Sequence, residues 1–207
     1  MNRHAPIGKA GLELTKSYEK FSAMVYPDQG GHPTIGYGHK IKSGDNYGGA
    51  PLEMDQALLL LQRDVAWATD AITRLVDADV LDALNQNQYD ALVSLVFNIG
   101  VGAFQESTFL SILNDGAGTL ACRIDVAGLE FPRWNKATID GEKVVSDGLV
   151  KRREAERTLW LTPVEPVQPK QEPKPCRCTY LVCQDCGKTY ALLAGRSGHI
   201  SPLKRNL

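Results

Sequence analysis

Glu19, Asp28 and Thr34 are the residues of this 207-residue chain whose types and spacing first suggest chemistry. The glutamate closes a segment with a rough apolar face (Leu12, Leu14, Tyr18, Phe21) that reads as a short first helix ending near Lys20. A turn-rich stretch follows at once, running Tyr26-Pro27-Asp28-Gln29-Gly30-Gly31-His32-Pro33-Thr34-Ile35-Gly36-Tyr37-Gly38-His39. A helix end followed by a hairpin folds Asp28 back towards Glu19 and leaves a gap between two carboxyls. Glycosidic bond hydrolysis uses that arrangement: one carboxyl gives a proton to the leaving oxygen while another handles a nucleophile across the sugar ring. Each residue also has an ordinary use, as an exposed helix carboxylate, a turn aspartate after proline and a strand threonine. Spacing alone does not choose between these readings.

The elements that would hold these residues are mostly helical. From Val25 to Tyr47, nine Gly, Pro or Asp residues punctuate the chain, the texture of short strands and tight turns. Met54, Leu58, Leu61, Val65, Ala68, Ile72 and Leu75 then recur at three- and four-residue steps, which predicts one helix of about five or six turns. Further helices are expected at about 86–98, 104–114, 117–127 and 148–161. No internal repeat is visible. Proline marks the boundary: five of the eleven prolines lie in Pro163–Pro175, after none from Arg133 to Thr162. That composition favours an extended spacer, so residues 1–162 read as the main domain, 163–175 as a Pro-rich linker and 176–207 as a small appendage.

Composition bounds the function classes. The chain is 43% apolar and 23% charged, which fits a globular protein and excludes a disordered or collagen-like one. Its longest purely apolar stretches, such as Ala57–Leu61, are too short for membrane insertion. The N-terminal MNRHAPIGKAG lacks the apolar run of a secretory signal, so the protein is expected to stay where it is made. Residues 163–207 carry a net charge of +4 and residues 1–162 carry −5. Neither part has the dense basic stripe of a nucleic-acid binder. A tail of +4 suits either an anionic surface or plain solvation.

Around the trio, Thr34-Ile35-Gly36-Tyr37-Gly38-His39 completes a pattern that resembles the active-site signature of the phage-type lysozymes (endolysins), glycoside hydrolase family 24. The resemblance continues through Ser94-Leu95-Val96-Phe97-Asn98-Ile99-Gly100, Gly102-Ala103-Phe104, Ser107-Thr108 and Arg133-Trp134-Asn135. It ends at Gly148-Leu149-Val150-Lys151-Arg152-Arg153-Glu154 with Leu159-Trp160, covering nearly all of residues 8–161. It implies an α+β, mainly α, two-lobed fold, with a small β-hairpin lobe and a helical lobe joined by the helix near 53–75. The activity it implies is hydrolysis of the β-1,4 bond between N-acetylmuramic acid and N-acetylglucosamine in bacterial peptidoglycan, late in phage infection.

In that reading Glu19 is the general acid, kept protonated by partial burial in a cleft. Asp28 polarises the attacking water, Thr34 helps to hold it, and the geometry is inverting. Lys40, Phe97 and Ser107 correspond to substrate-binding positions. His39 corresponds to a structural histidine paired with Asp64. Arg152 or Arg153 reaches Glu19, or else both pair with Glu154 and Glu156 on the helix surface. Catalysis needs no cofactor. The enzyme is expected to be a monomer that accumulates in the host cytoplasm and depends on a holin to reach the periplasm or cell wall. A non-catalytic peptidoglycan-binding relative and a lytic transglycosylase are the alternatives.

The appendage lies outside this resemblance. Cys176, Cys178, Cys183 and Cys186 crowd into eleven residues, and Cys183-Gln184-Asp185-Cys186-Gly187 resembles a zinc-knuckle turn. One residue inside the first pair and four between the pairs depart from an ordinary zinc ribbon. A structural zinc, disulfides formed after release, and free thiols all remain open, with His199 a conceivable further ligand. A 32-residue appendage needs some such staple, because its own core is too small. Cys122 stands alone in a helical segment and reads as a buried apolar residue.

Overall fold

A computed structural model describes residues 6–28, 31–47, 49–139 and 141–164, together with the backbone at Tyr190–Ala191 and Ser201–Pro202. The chain divides into two units, Met1–Val164 and Glu165–Leu207. In the second, Tyr190–Ala191 pairs antiparallel with Ser201–Pro202. Most of the expected linker, the four clustered cysteines and His199 lie outside the described residues.

The first unit is built around α5 (Gln86–Ile99), in which every residue from Tyr89 to Val96 is buried. A helix buried on all sides is a core element, not an amphipathic one. Its start is specified locally: Asn85 accepts the Gln88 N–H at 3.0 Å and Gln88 Oε1 accepts the Asn85 N–H at 2.9 Å, a reciprocal cap. Gly100, at φ +86°, ends it. α1 (Lys9–Tyr18) and α9 (Asp147–Leu161) both pack on α5.

The α1 contact is a designed fit. Gly8, at the helix start, has no side chain to cap α1; buried Asp90 of α5 supplies the carboxylate instead. It accepts the Gly8 N–H at 2.8 Å and the Gly11 N–H at 2.9 Å, with Gln86 Nε2 a third donor at 2.8 Å. A Cβ on Gly11 would lie 2.6 Å from Asp90 Cβ, so glycine sets how closely the two helices approach.

The rest of the helical lobe is α3 (Ala66–Leu75), α4 (Ala78–Ala83), α6 (Val101–Gln105), α7 (Thr108–Leu113), α8 (Leu120–Ala127) and a 3-10 turn over Gly128–Arg133. Its centre is aromatic. Phe109 meets Phe131 and Trp160 edge-on at 5.2 and 5.4 Å between centroids, arrangements that suit the ring quadrupoles. Gly128 lies against the Trp160 indole, where an added Cβ would come within 2.6 Å of Nε1.

The smaller lobe holds a three-stranded antiparallel sheet, β1 (Ser22–Pro27), β2 (Pro33–Gly36) and β3 (His39–Lys40), followed by α2 (Met54–Asp64). Ser22 faces Gly36 and Tyr26 faces Thr34, so β1 uses four steps where β2 uses two. The two surplus residues form a bulge, with Met24 and Val25 exposed and Ala23 O accepting the Leu52 N–H at 2.7 Å. Four extended steps would cover about 13 Å, whereas two cover about 7 Å. The nine-residue separation of Glu19 and Asp28 therefore spans much less distance than an unbroken strand would give.

Several expectations need correction. The single helix expected near 53–75 is two, α2 and α3, interrupted at Val65 (φ −77°, ψ −9°), whose buried side chain continues the apolar stripe through the break. The segment 104–114 is also divided, because Ser107 stops α6 and caps α7. Cys122 is exposed: Ile124 and Ala127 take the buried face of α8. A hairpin not anticipated from the sequence, β4 (Lys136–Ile139) with β5 (Glu142–Val145), precedes α9.

Candidate active site

Glu19 sits where α1 stops, in an extended conformation (φ −103°, ψ 131°), with its N–H donating to Lys16 O. Its carboxyl is about a quarter exposed, and Arg152 Nη1 donates to Oε1 at 2.9 Å. Arg152 itself is only 4% exposed. Its guanidinium lies 5.6 Å from the centroid of the Tyr18 ring, and Tyr18 OH donates to Lys151 O at 2.9 Å. Arg152 Nε also reaches Glu156 Oε1 at 3.3 Å; Arg153 Nη2 and Ser94 Oγ donate to that same oxygen at 2.8 and 2.7 Å. Arg152 is thus the residue that orients Glu19. The pairing with Glu156 that the sequence left open does occur, in the interior and not on the helix surface, because Glu156 is buried.

Asp28 follows β1 directly, in a turn closed by its N–H donating to His32 O at 2.9 Å. The His32 N–H donates to Asp28 Oδ1 at 2.8 Å, with His32 Nδ1 3.2 Å from the same oxygen. Lys40 Nζ lies 3.1 Å from Oδ2. The carboxylate is therefore held at both oxygens. Thr34, opposite Tyr26 on β2, is 2% exposed and donates its hydroxyl hydrogen to His32 O at 3.0 Å, which leaves its lone pairs as acceptors. Gly36 and Gly38, at φ +66° and +88°, turn β2 into β3 and so bring Lys40 opposite Thr34.

His39 occupies the structural place expected for it. Its Nδ1 is 2.8 Å from Asp64 Oδ1, tying β3 to the end of α2, and its Nε2 is 3.4 Å from Asp45 Oδ2. The Lys42 N–H donates to Asp45 at 2.8 Å and holds that carboxyl below the usual range, with His39 adding to the effect.

Lys40 and Phe97, two of the three residues assigned to substrate, line one cleft of about 380 Å³ with Gly38, Asp64 and Trp67. Ser107, the third, is not among the residues that line this cleft. It is buried, its hydroxyl donates to Phe104 O at 2.6 Å and accepts the Leu110 N–H at 3.0 Å, so it serves as the cap of α7. Neither this cleft nor a larger cavity of about 500 Å³, bordered by Tyr47, Leu52 and Leu59, is lined by Glu19, Asp28 or Thr34; Lys40, paired with Asp28, is the cleft's link to the trio. Among the described residues no cluster of His, Cys, Asp and Glu is arranged to hold a metal ion. Of the two arginines that the sequence offered as partners of Glu19, Arg152 is the one that meets it. The aromatic partner of Phe97, Trp67, was not singled out by sequence; its only signal was an indole on the apolar-patterned helix.

Comparison with known proteins places this geometry. The Phage lysozyme family profile matches residues 16–156, and the chain belongs to that family. An endolysin of Acyrthosiphon pisum secondary endosymbiont phage 1 is 38% identical over 156 residues, covering 74% of this chain and 97% of the relative. The endolysin of Salmonella phage P22 is 38% identical over 158 residues, covering 75% and 98%. Among solved structures, the muramidase domain of SpmX from Asticaccaulis excentricus superposes with a TM-score of 0.65 at 36% identity, over 78% of this chain and 100% of that one.

Proposed function

We propose that this protein is a lysozyme (muramidase) that hydrolyses the β-1,4 bond between N-acetylmuramic acid and N-acetylglucosamine in bacterial peptidoglycan, lysing the host to release phage. The observation that carries the reading is the placing of two carboxyls at the two ends of one bulged strand, Glu19 held by buried Arg152 and Asp28 held beside Thr34. Glu19 donates its proton to the glycosidic oxygen as the bond from that oxygen to the sugar's anomeric carbon breaks. A water attacks that carbon from the opposite face. It gives one hydrogen bond to Asp28, which takes up its proton, and another to the acceptor lone pairs of Thr34. The sum is addition of one water across the bond. The expected carboxyl separation is that of an inverting enzyme, roughly 6.5–9.5 Å.

Turbidity loss of wall preparations tests the assignment. Glu19→Gln and Asp28→Asn are each expected to fold, to retain wall binding and to lose at least about a thousandfold in rate. Full activity in Glu19→Gln would remove the proposed acid. The first-formed sugar should be the α-anomer by NMR. A β-anomer would refute inversion, and an anhydro-muramoyl end in the mass spectrum would mark a lytic transglycosylase.

The enzyme acts on the cell wall as a monomer. It waits in the host cytoplasm until a holin opens the membrane; no helix among the described residues is long and apolar enough to cross one. Residues 1–162 form the catalytic domain, 163–175 a spacer and 176–207 a wall-seeking appendage stapled by zinc on Cys176, Cys178, Cys183 and Cys186. The reason for zinc is the cysteine spacing in a segment too short to build a deep core of its own. One zinc per chain, removable by a chelator, is the expected assay result. A metal-free protein as purified under reducing conditions would sink the idea.

A further inference from the structure

The cleft beside Lys40 has a wall that proton transfer does not account for. Trp67 of α3 is 41% exposed and stacks on Phe97 of α5, ring centroids 5.7 Å apart and planes 28° from parallel. Both rings line the cleft with Lys40 and the His39–Asp64 pair, and Lys40 reaches from there to Asp28. A single exposed aromatic needs no explanation. This one is different, because Phe97 backs it and fixes its plane, and the groups around it are hydrogen-bonding and cationic. A rigid aromatic face with a few polar groups at its edge suits a ligand that has an apolar face and a polar rim. A pyranose ring is such a ligand: its axial C–H groups form an apolar face and its hydroxyl and acetamido groups a polar edge.

We infer that Trp67 is a saccharide-stacking residue, whose indole carries one hexosamine ring of the glycan strand in the cleft that Lys40 links to Asp28. The inference rests on the muramidase reading above and adds a binding residue to it. None of Glu19, Asp28 and Thr34 lines the cleft with Trp67, so Trp67 acts on substrate affinity and leaves the chemical step alone.

The test uses the full chain and soluble, uncrosslinked glycan strands. Trp67→Ala is expected to raise KM roughly tenfold or more with kcat within about threefold of wild type, and Trp67→Phe to recover most of the loss. In a Glu19→Gln background, titration with a muropeptide tetrasaccharide should shift the indole N–H resonance of Trp67, identified by its disappearance in Trp67→Phe, more than those of Trp134 and Trp160. An unchanged KM in Trp67→Ala overturns the inference, as does a Trp67 resonance that stays put at saturating ligand. Loss of kcat and melting temperature with KM unchanged overturns it too, since that is the pattern of a packing residue. Failure of the wild type itself to cleave the strands would bring down the muramidase reading; cleavage with normal KM in Trp67→Ala brings down only the role of Trp67.

Discussion

Arg152 is the side chain on which the candidate acid depends, and it faces two carboxylates at once. A lysine keeps the charge but offers a single point of contact where the guanidinium offers a planar fork. Arg152→Lys is therefore expected to lower kcat about tenfold to a hundredfold with little change in KM, measured by steady-state turnover. Arg152→Ala, which removes one of three donors to buried Glu156 while Arg153 and Ser94 remain, should cost about 1–3 kcal/mol of unfolding free energy by urea titration. Asp45 gives a second test. Its carboxyl is lowered on folding, first by the Lys42 amide and then by His39. Such a group stabilises above its unfolded value of about pH 4, and the contribution disappears as pH falls through the lower folded value. Protection of the Lys42 amide, as its exchange rate relative to an unstructured peptide at the same pH, should fall below that range, and Asp45→Asn should flatten the response. At this scale the sequence was informative where residues form a contiguous signature, as around Glu19, Asp28 and Thr34. It could not choose between Arg152 and Arg153, since neighbours on a helix point about 100° apart and only packing decides which meets Glu19. The capping role of Ser107 was hidden for another reason: a hydroxyl that caps Thr108–Leu113 and one that binds sugar are the same in sequence.

Helices and strands show a similar division. The expected bounds of α5 and α9 agree with the structure to within a residue or so. Neither presents a simple apolar stripe, since α5 is buried on all sides and α9 buries Arg152, Arg153 and Glu156. Periodicity passed straight over Val65, where the apolar stripe continues through the break between α2 and α3. The β4–β5 hairpin was legible and overlooked: Asp140-Gly141 separates Lys136-Ala137-Thr138-Ile139 from Glu142-Lys143-Val144-Val145, a strong turn signal, but these strands are exposed and carry no core pattern. The helix pair α1 and α5 yields the sharpest stability prediction. Asp90→Ala leaves two backbone N–H groups of α1 and the Gln86 amide without their acceptor and should cost about 3 kcal/mol. Gly11→Ala should cost about 1–3 kcal/mol by forcing the helices apart. Calorimetric melting checks both, and a neutral Gly11→Ala would show that the contact yields more easily than its 2.6 Å clearance suggests.

For the molecule as a whole, the first unit contains its own core, from Leu92 and Leu95 through Phe109 and Phe131 to Trp160. A chain ending at Val164 is accordingly expected to melt like the full protein and to cleave soluble strands at the same rate. Against intact walls it should be slower, and more so at low ionic strength, if the +4 tail brings the enzyme to an anionic surface. Equal activity on walls would leave the appendage without a targeting role. The linker and the cysteine cluster were conspicuous in composition, while what they fold into depends on chemistry that composition does not specify. The bulge in β1 has a consequence for where the sheet tolerates an added residue. Pairing is closed on either side of it, at Ser22 and at Tyr26, and the surplus residues Met24 and Val25 project into solvent. An extra residue inserted between Met24 and Val25 is accordingly expected to be taken up at the surface with little loss of melting temperature, whereas one inserted in the paired β2 segment Thr34–Gly36 would shift its register.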